Sequence, residues 1–139
     1  MQSDFLDAHE RHWEDAEMLH DRDRLANADH LYGISAECGL KRLMLAFGMP
    51  FDPQRNRPET REDRRHIDNI WHRYDAYRSG HYRATRYVLS ESTPFADWNS
   101  SQRYAHRSNF DQARVQKHRE GAAEVREMVR KARLEGLIA

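Results

Sequence analysis

Residues 25–48 read LANADHLYGISAECGLKRLMLAFG, and this stretch decides the fold. Leu31, Tyr32, Ile34, Ala36, Cys38, Leu40, Leu43, Met44 and Phe47 fall on most sides of a 3.6-residue helix. A helix that is apolar nearly all round is covered by neighbours on several sides. The stretch is therefore expected to be the central helix, and the rest of the chain must supply its cover. Gly48 followed by Pro50 marks its end.

Toward the N-terminus, residues 3–22 repeat Phe5, His9, Trp13, Ala16 and Leu19 at gaps of three and four, one stripe on a helix. Asp7, Glu10, Glu14, Asp15 and Glu17 make its opposite face acidic. Toward the C-terminus, residues 49–64 hold Pro50, Pro53 and Pro58 among mixed charges and are expected to form a mobile loop without a regular element. Thr60 with Asp63 three residues later resembles a capping box. A third helix is expected over 64–79, with the stripe Ile67, Ile70, Trp71, Tyr74 and Tyr77 and a stop at Gly80. Residues 81–89 suit a short helix, and 90–100 a loop holding Pro94, Phe95 and Trp98. Asp111 suits the N-cap of a last helix that runs to about residue 135 on the stripe Ala122, Val125, Val129 and Ala132. There is no internal repeat and no pair of alternating β-branched runs. The expectation is an all-α, antiparallel four- to five-helix bundle, one domain over residues 1–139.

Composition narrows the classes. Cys38 is the only cysteine, which excludes an intrachain disulfide and a cysteine-based zinc site. No run approaches the ~18 apolar residues of a membrane span. The opening MQSDFLD lacks the basic and apolar regions of a signal peptide, so a cytoplasmic protein with no membrane partner is expected. Formal net charge is zero, yet residues 1–30 hold nine acids against three bases and residues 103–133 nine bases against four acids. A basic end of this kind suits nucleic acid. The zero net charge favours the other reading, in which acidic and basic elements face each other within the fold or across a dimer.

Three segments carry a resemblance. The first is Trp13-x-x-Ala16-x-x-Leu19 leading into the alanine-bearing run from Ala26 to Met44 with its Glu37-x-x-x-Lys41 step. The second is His66-Ile67-Asp68-Asn69-Ile70-Trp71, and the third is Gln102-Arg103-Tyr104 ahead of the helix from Asp111. In this order and spacing they resemble the HEPN (higher eukaryotes and prokaryotes nucleotide-binding) domain family, over most of the chain outside 49–64. The resemblance implies an antiparallel helical bundle that forms a homodimer. It implies a bacterial defence or toxin–antitoxin system, in which many members are metal-independent ribonucleases acting on RNA at the dimer seam. Other members bind nucleotides or serve as accessory partners of nucleotidyltransferases, so a partner protein from a neighbouring gene is a further expectation. Active nucleases of the family carry Arg-x(4–6)-His near the start of the last helix.

Cleaving RNA without a metal requires a proton to leave the 2′-hydroxyl, a proton to reach the departing 5′-oxygen, and charge stabilisation on the phosphorane. Histidine suits the proton steps because its ordinary pKa of ~6.5 lies near neutrality. Arginine suits the charge because its planar fork grips two phosphate oxygens. At the corresponding place the sequence reads Arg103-Tyr104-Ala105-His106-Arg107, with the histidine after two residues rather than four to six. Arg103, His106 and Arg107 are the candidate catalytic residues, since a gap of three on a helix keeps two side chains on one face. His118 lies three turns beyond Arg107 and is not expected to share a compact site through local geometry. The competing reading pairs Arg103 with an acid or a helix end inside a non-catalytic module that binds a partner protein or nucleotide. Glu37 and Lys41, one turn apart on the apolar helix, read as a packed polar network or a dimer contact. Asp29, His30, His66, Asp68 and His72 do not share a helix face as metal ligands would, so neither metal nor cofactor is expected. Trp13, Trp71, Tyr74, Tyr77 and Trp98 read as core rather than as base-stacking platforms. No Gly-rich phosphate loop and no Gly-x-Ser-x-Gly elbow is present.

Overall fold

The computed structural model describes all 139 residues. The chain is mostly helical, with α1 over Phe5–Asp21, α2 over Leu25–Ala46, α3 over Ile67–Arg78 and α4 over Gln112–Leu134. The only strands are β1 (Phe51–Asp52) and β2 (Arg57–Pro58), an antiparallel pair with Phe51 opposite Pro58. Side chains start two of the helices. The Asp4 carboxylate accepts from the Asp7 N–H at 3.0 Å, and that of Asp111 from the Arg114 N–H at 2.9 Å, which satisfies donors that a helix start leaves orphaned. α2 and α3 begin at Arg24 and His66 with no side-chain cap.

The apolar run of residues 25–48 is the central element as expected, packed by α1, α3 and α4. Tyr32, Ala36, Leu40, Leu43 and Met44 of α2 are fully buried. They share one core with Ala16 of α1, Ile67, Ile70 and Tyr74 of α3, and Val115, Ala122 and Val125 of α4. Burying each larger side chain of this kind contributes about 1.5–3 kcal/mol. Phe95 and Trp98 of the 90–100 connection also insert into this core. A Cβ at Gly33 would lie 2.2 Å from the Trp98 ring, so glycine there lets the indole lie against the α2 backbone. The Trp98 Nε1–H donates to the Asp29 carbonyl at 3.2 Å.

The bundle is antiparallel only in part. His9 meets Ser35 and Tyr32 meets Glu17, so α1 and α2 form an antiparallel hairpin. Asp29 meets His118 and Gly39 approaches Val125, so α4 runs in the same sense as α2. Glu37 meets His66 and Phe47 packs on Tyr74, so α3 does too. The physical reason is connection length. The three residues between α1 and α2 permit only a reversal, whereas the long segments before α3 and α4 let the chain travel back along α2 before each helix sets out.

Three local expectations are corrected. Residues 49–64, expected to be a mobile loop, contain the β1–β2 hairpin and a 3₁₀ turn at Arg61–Arg64. Asp52 Oδ1 accepts from the N–H groups of Gln54 and Arg55 to close the hairpin turn, and Asn56 Oδ1 accepts from Ser3 N–H at 2.8 Å to tie the hairpin to the chain start. Thr60 and Asp63 make no capping box. Asp63 is instead fully buried, accepting from Arg73 Nε at 2.7 Å and from the Tyr77 hydroxyl. The helix expected over 81–89 is a single 3₁₀ turn, Ala84–Arg86, because the fully buried Tyr87 ties the chain down: its carbonyl accepts from Tyr74 at 2.7 Å and its hydroxyl donates to Glu135 at 2.6 Å.

The uneven charge is taken up inside the fold. Glu17 of α1 pairs with Arg119 of α4 at 2.6 Å, and Glu10 with Arg133 at 2.7 Å. No helix is long and apolar enough to cross a membrane.

Candidate functional site

The turn that carries Arg103, His106 and Arg107 is held from beneath. Asp29 of α2 is fully buried, and Gln102 Nε2 donates to its Oδ2 at 2.7 Å. The Gln102 Oε1 accepts from the Asn99 N–H at 3.2 Å while Asn99 caps the turn, a reciprocal box that fixes the 3₁₀ segment Ser100–Tyr104. Arg114 reinforces it by donating to Gln102 Oε1 at 3.2 Å. The polar end of Gln102 therefore points inward, and its neighbour Arg103 is left at the surface.

His118 lies under this scaffold. Its Nδ1 faces Asp29 Oδ1 at 2.6 Å and its Nε2 faces Asp97 Oδ1 at 2.8 Å, and the ring is fully buried against Phe95. A carboxylate oxygen at each nitrogen holds the ring by both edges. Burial pushes the Asp97 carboxyl up, but Lys117 and His118 outweigh it and hold it down to about 2. The network Asp29–His118–Asp97 ties α2, α4 and the 90–100 connection together. Sequence reasoning set His118 aside, yet His118 shares Asp29 with Gln102. Its signal was a histidine within the stripe Val115, His118, Ala122, Val125, Val129 of the last helix, a buried position that a polar ring occupies only with partners.

Above the scaffold lies an open groove of about 580 Å³. Its walls are the start of α2 and the 102–110 segment, and Arg24, Arg103, His106 and Arg107 line it together. All four are exposed. Arg103 and His106 do not form a helical i,i+3 pair. Arg103 belongs to one 3₁₀ turn and His106 caps the next, with extended backbone between them at Ala105. Arg103 does not pair with an acid either, and its guanidinium stacks over the Tyr104 ring at 4.8 Å. The His106 Nδ1 accepts from the Ser108 N–H at 3.2 Å. Nδ1 also faces the Ser108 Oγ at 2.9 Å, which can donate to it or accept from it, so Nε2 is the nitrogen left free for a ligand in either tautomer. The uncapped N–H groups at the start of α2 open on the same groove, which adds partial positive charge to that of the arginines. Asp23 is the only acid on the wall.

A second polar cluster follows along α2. Glu37 accepts from Lys41 Nζ at 3.0 Å and meets His66 Nδ1 at 2.8 Å, so the Glu37–Lys41 step belongs to a packed network within one chain. The hydrogen bond to Glu37 raises the His66 pKa against a smaller opposing effect of burial. His30 stacks on Trp98 at 5.6 Å, with its pKa lowered by burial and by Arg103 and His66. Trp71, Tyr74 and Trp98 are core, and Trp13 and Tyr77 pack against it. No group of three or more His, Cys, Asp or Glu is arranged to hold a metal.

No family model matches the chain, and no curated protein or solved structure matches it.

Proposed function

We propose that the protein binds RNA in the groove formed by Arg24, Arg103, His106 and Arg107, and that it does so as a HEPN-like homodimer of a bacterial defence or toxin–antitoxin system. The supporting observation is that three arginines with no carboxylate partner share one groove with a histidine whose outer nitrogen is free. Their planar forks suit phosphate oxygens. The HEPN resemblance supplies RNA as the phosphate-bearing ligand and the dimer as the assembly, an associational argument.

Cleavage is the chemistry that a pair of such chains would perform. One groove holds a single histidine, and metal-free transesterification needs both a base and an acid. Two copies of His106 across a two-fold axis supply one of each, while Arg103 and Arg107 hold the phosphate and its developing charge. The single histidine per groove favours a second reading, binding of RNA or a nucleotide without cleavage.

The test uses purified protein, labelled single-stranded RNA and a chelator. The expected result is a dimer by light scattering, RNA binding weakened at least tenfold by Arg103→Ala, and cleavage abolished by His106→Ala with binding retained. Binding without cleavage in the wild type moves the conclusion to the second reading. A wild type that does not bind RNA at all removes both.

A further inference from the structure

A second cavity, of about 470 Å³, lies on the other side of the 99–103 turn, and none of its lining residues is apolar. Arg61 and Arg64 reach it from the 3₁₀ turn before α3, and Arg65 and His66 from the residues that lead into that helix. Asn99 and Ser100 close it from the turn whose later residues, Gln102 and Arg103, line the first groove. None of the three arginines forms an ion pair, although Arg73, just beyond them, is paired with Asp63. The Arg64 Nε is buried and has no hydrogen-bond partner, a costly state for a cationic donor. The start of α3 opens on the same space with no side-chain cap. Asp68 is the only acid on the lining, so the balance is strongly positive.

The cluster is also held in place. Asp63 sits within the 3₁₀ turn and is anchored to Arg73 and Tyr77 of α3, which fixes the backbone from which Arg61, Arg64 and Arg65 project. His66 is anchored from the opposite side by Glu37. A held backbone bearing unpaired guanidinium groups has the makings of an oxyanion receptor, because only the side chains are left to order when the anion arrives.

We propose that this cavity is a binding site for a phosphate group, held by Arg61, Arg64 and Arg65 with the backbone N–H groups that open α3. The phosphate is that of an RNA strand continuing from the first groove past the 99–103 turn. The identity of the strand rests on the RNA-binding reading above, whereas the capture of phosphate rests on the cavity itself. His66, kept protonated to higher pH by Glu37, adds charge at the rim.

The experiment titrates the full chain with inorganic phosphate at fixed chloride and follows backbone amide resonances. Saturable shifts are expected at Ile67, Asp68, Asn69 and Ser100. They persist in Arg103→Gln and weaken at least tenfold in the double variant Arg64→Gln, Arg65→Gln. Arg61→Gln, at an exposed position that does not threaten the fold, weakens them at least threefold. Absence of those shifts, or shifts unchanged in the glutamine variants, overturns the site. A second arm uses labelled single-stranded RNA. The double variant is expected to bind it at least tenfold more weakly, with the salt slope reduced by about 0.7 for each phosphate no longer neutralised. If phosphate binding is abolished in the double variant but RNA binding is untouched, the site takes free phosphate and its link to RNA falls. If the wild type binds phosphate here but no RNA, the proposed function falls and the site stands.

Discussion

His118 shows how a single residue can carry a surface site without touching it. Its two nitrogens are bonded to Asp29, 89 residues away, and to Asp97, 21 residues away. Removing the ring leaves the buried Asp29 carboxylate with only Gln102 and the more distant Arg114, at 3.6 Å. Leaving a buried carboxylate short of its partner costs roughly 3–5 kcal/mol. His118→Ala is therefore expected to lower stability by about 3 kcal/mol in urea unfolding. It should also weaken any ligand in the Arg103 groove, because Gln102 is released with Asp29. A drop below about 1 kcal/mol would mean that the network is not a support. Only the burial of His118 was legible in sequence, from its place in the stripe of the last helix. The two aspartates are invisible as partners until the chain is folded, and local spacing shows only that His118 and Arg107 are far apart. Arg103, His106 and Arg107 were legible as a cluster because they are close neighbours in the chain, but their geometry was not, since the segment is two 3₁₀ turns rather than a helix.

At the scale of elements, the hydrophobic period located all four helices within a few residues. In α1, α3 and α4 a stripe recurs because one face is buried, whereas α2 was marked by being apolar nearly all round. The β1–β2 hairpin escaped because strands of two residues have no period to read. The sense of α3 and α4 escaped because a stripe has no direction, and only the long connections decide which end the chain returns to. Thr60 and Asp63 misled because the capping spacing was present while Asp63 was claimed by tertiary partners. The difference is measurable. Thr60→Ala removes no cap and is expected to change stability by less than about 0.5 kcal/mol. Asp63→Ala leaves Arg73 and Tyr77 without their acceptor and is expected to cost about 3 kcal/mol, with loss of the phosphate-induced shifts at α3. Similar small effects from both substitutions would restore the capping reading.

For the whole molecule, the histidines set how stability responds to pH. His9 is buried with its Nε2 unpaired, and burial first, then Arg126, holds its pKa down against the opposing pull of the Ser35 carbonyl. Burial lowers His12, with Arg11 adding to the effect, and burial lowers His30, with Arg103 and His66 adding. In the unfolded chain each takes a proton near 6.5, while the folded state resists. Their contribution is present above about 6.5 and is lost as pH falls through the lower folded values. His66 acts in the opposite sense. Glu37 raises it above 6.5, so its contribution is complete below that value and disappears as pH rises through the folded pKa. The carboxylates stay out of this window, because Asp97 at about 2 and Glu17, lowered chiefly by Arg119, keep theirs until pH falls below ordinary values of 3.8 and 4.5. Three lowered histidines against one raised give a net loss on acidification. The melting temperature is expected to fall between pH 7.5 and pH 5.5, and to fall more steeply in His66→Gln, which lacks the one opposing group. Thermal unfolding monitored by circular dichroism at fixed ionic strength decides it. A melting temperature that is flat or rises on acidification, or a His66→Gln profile parallel to the wild type, would overturn this account of the buried histidines.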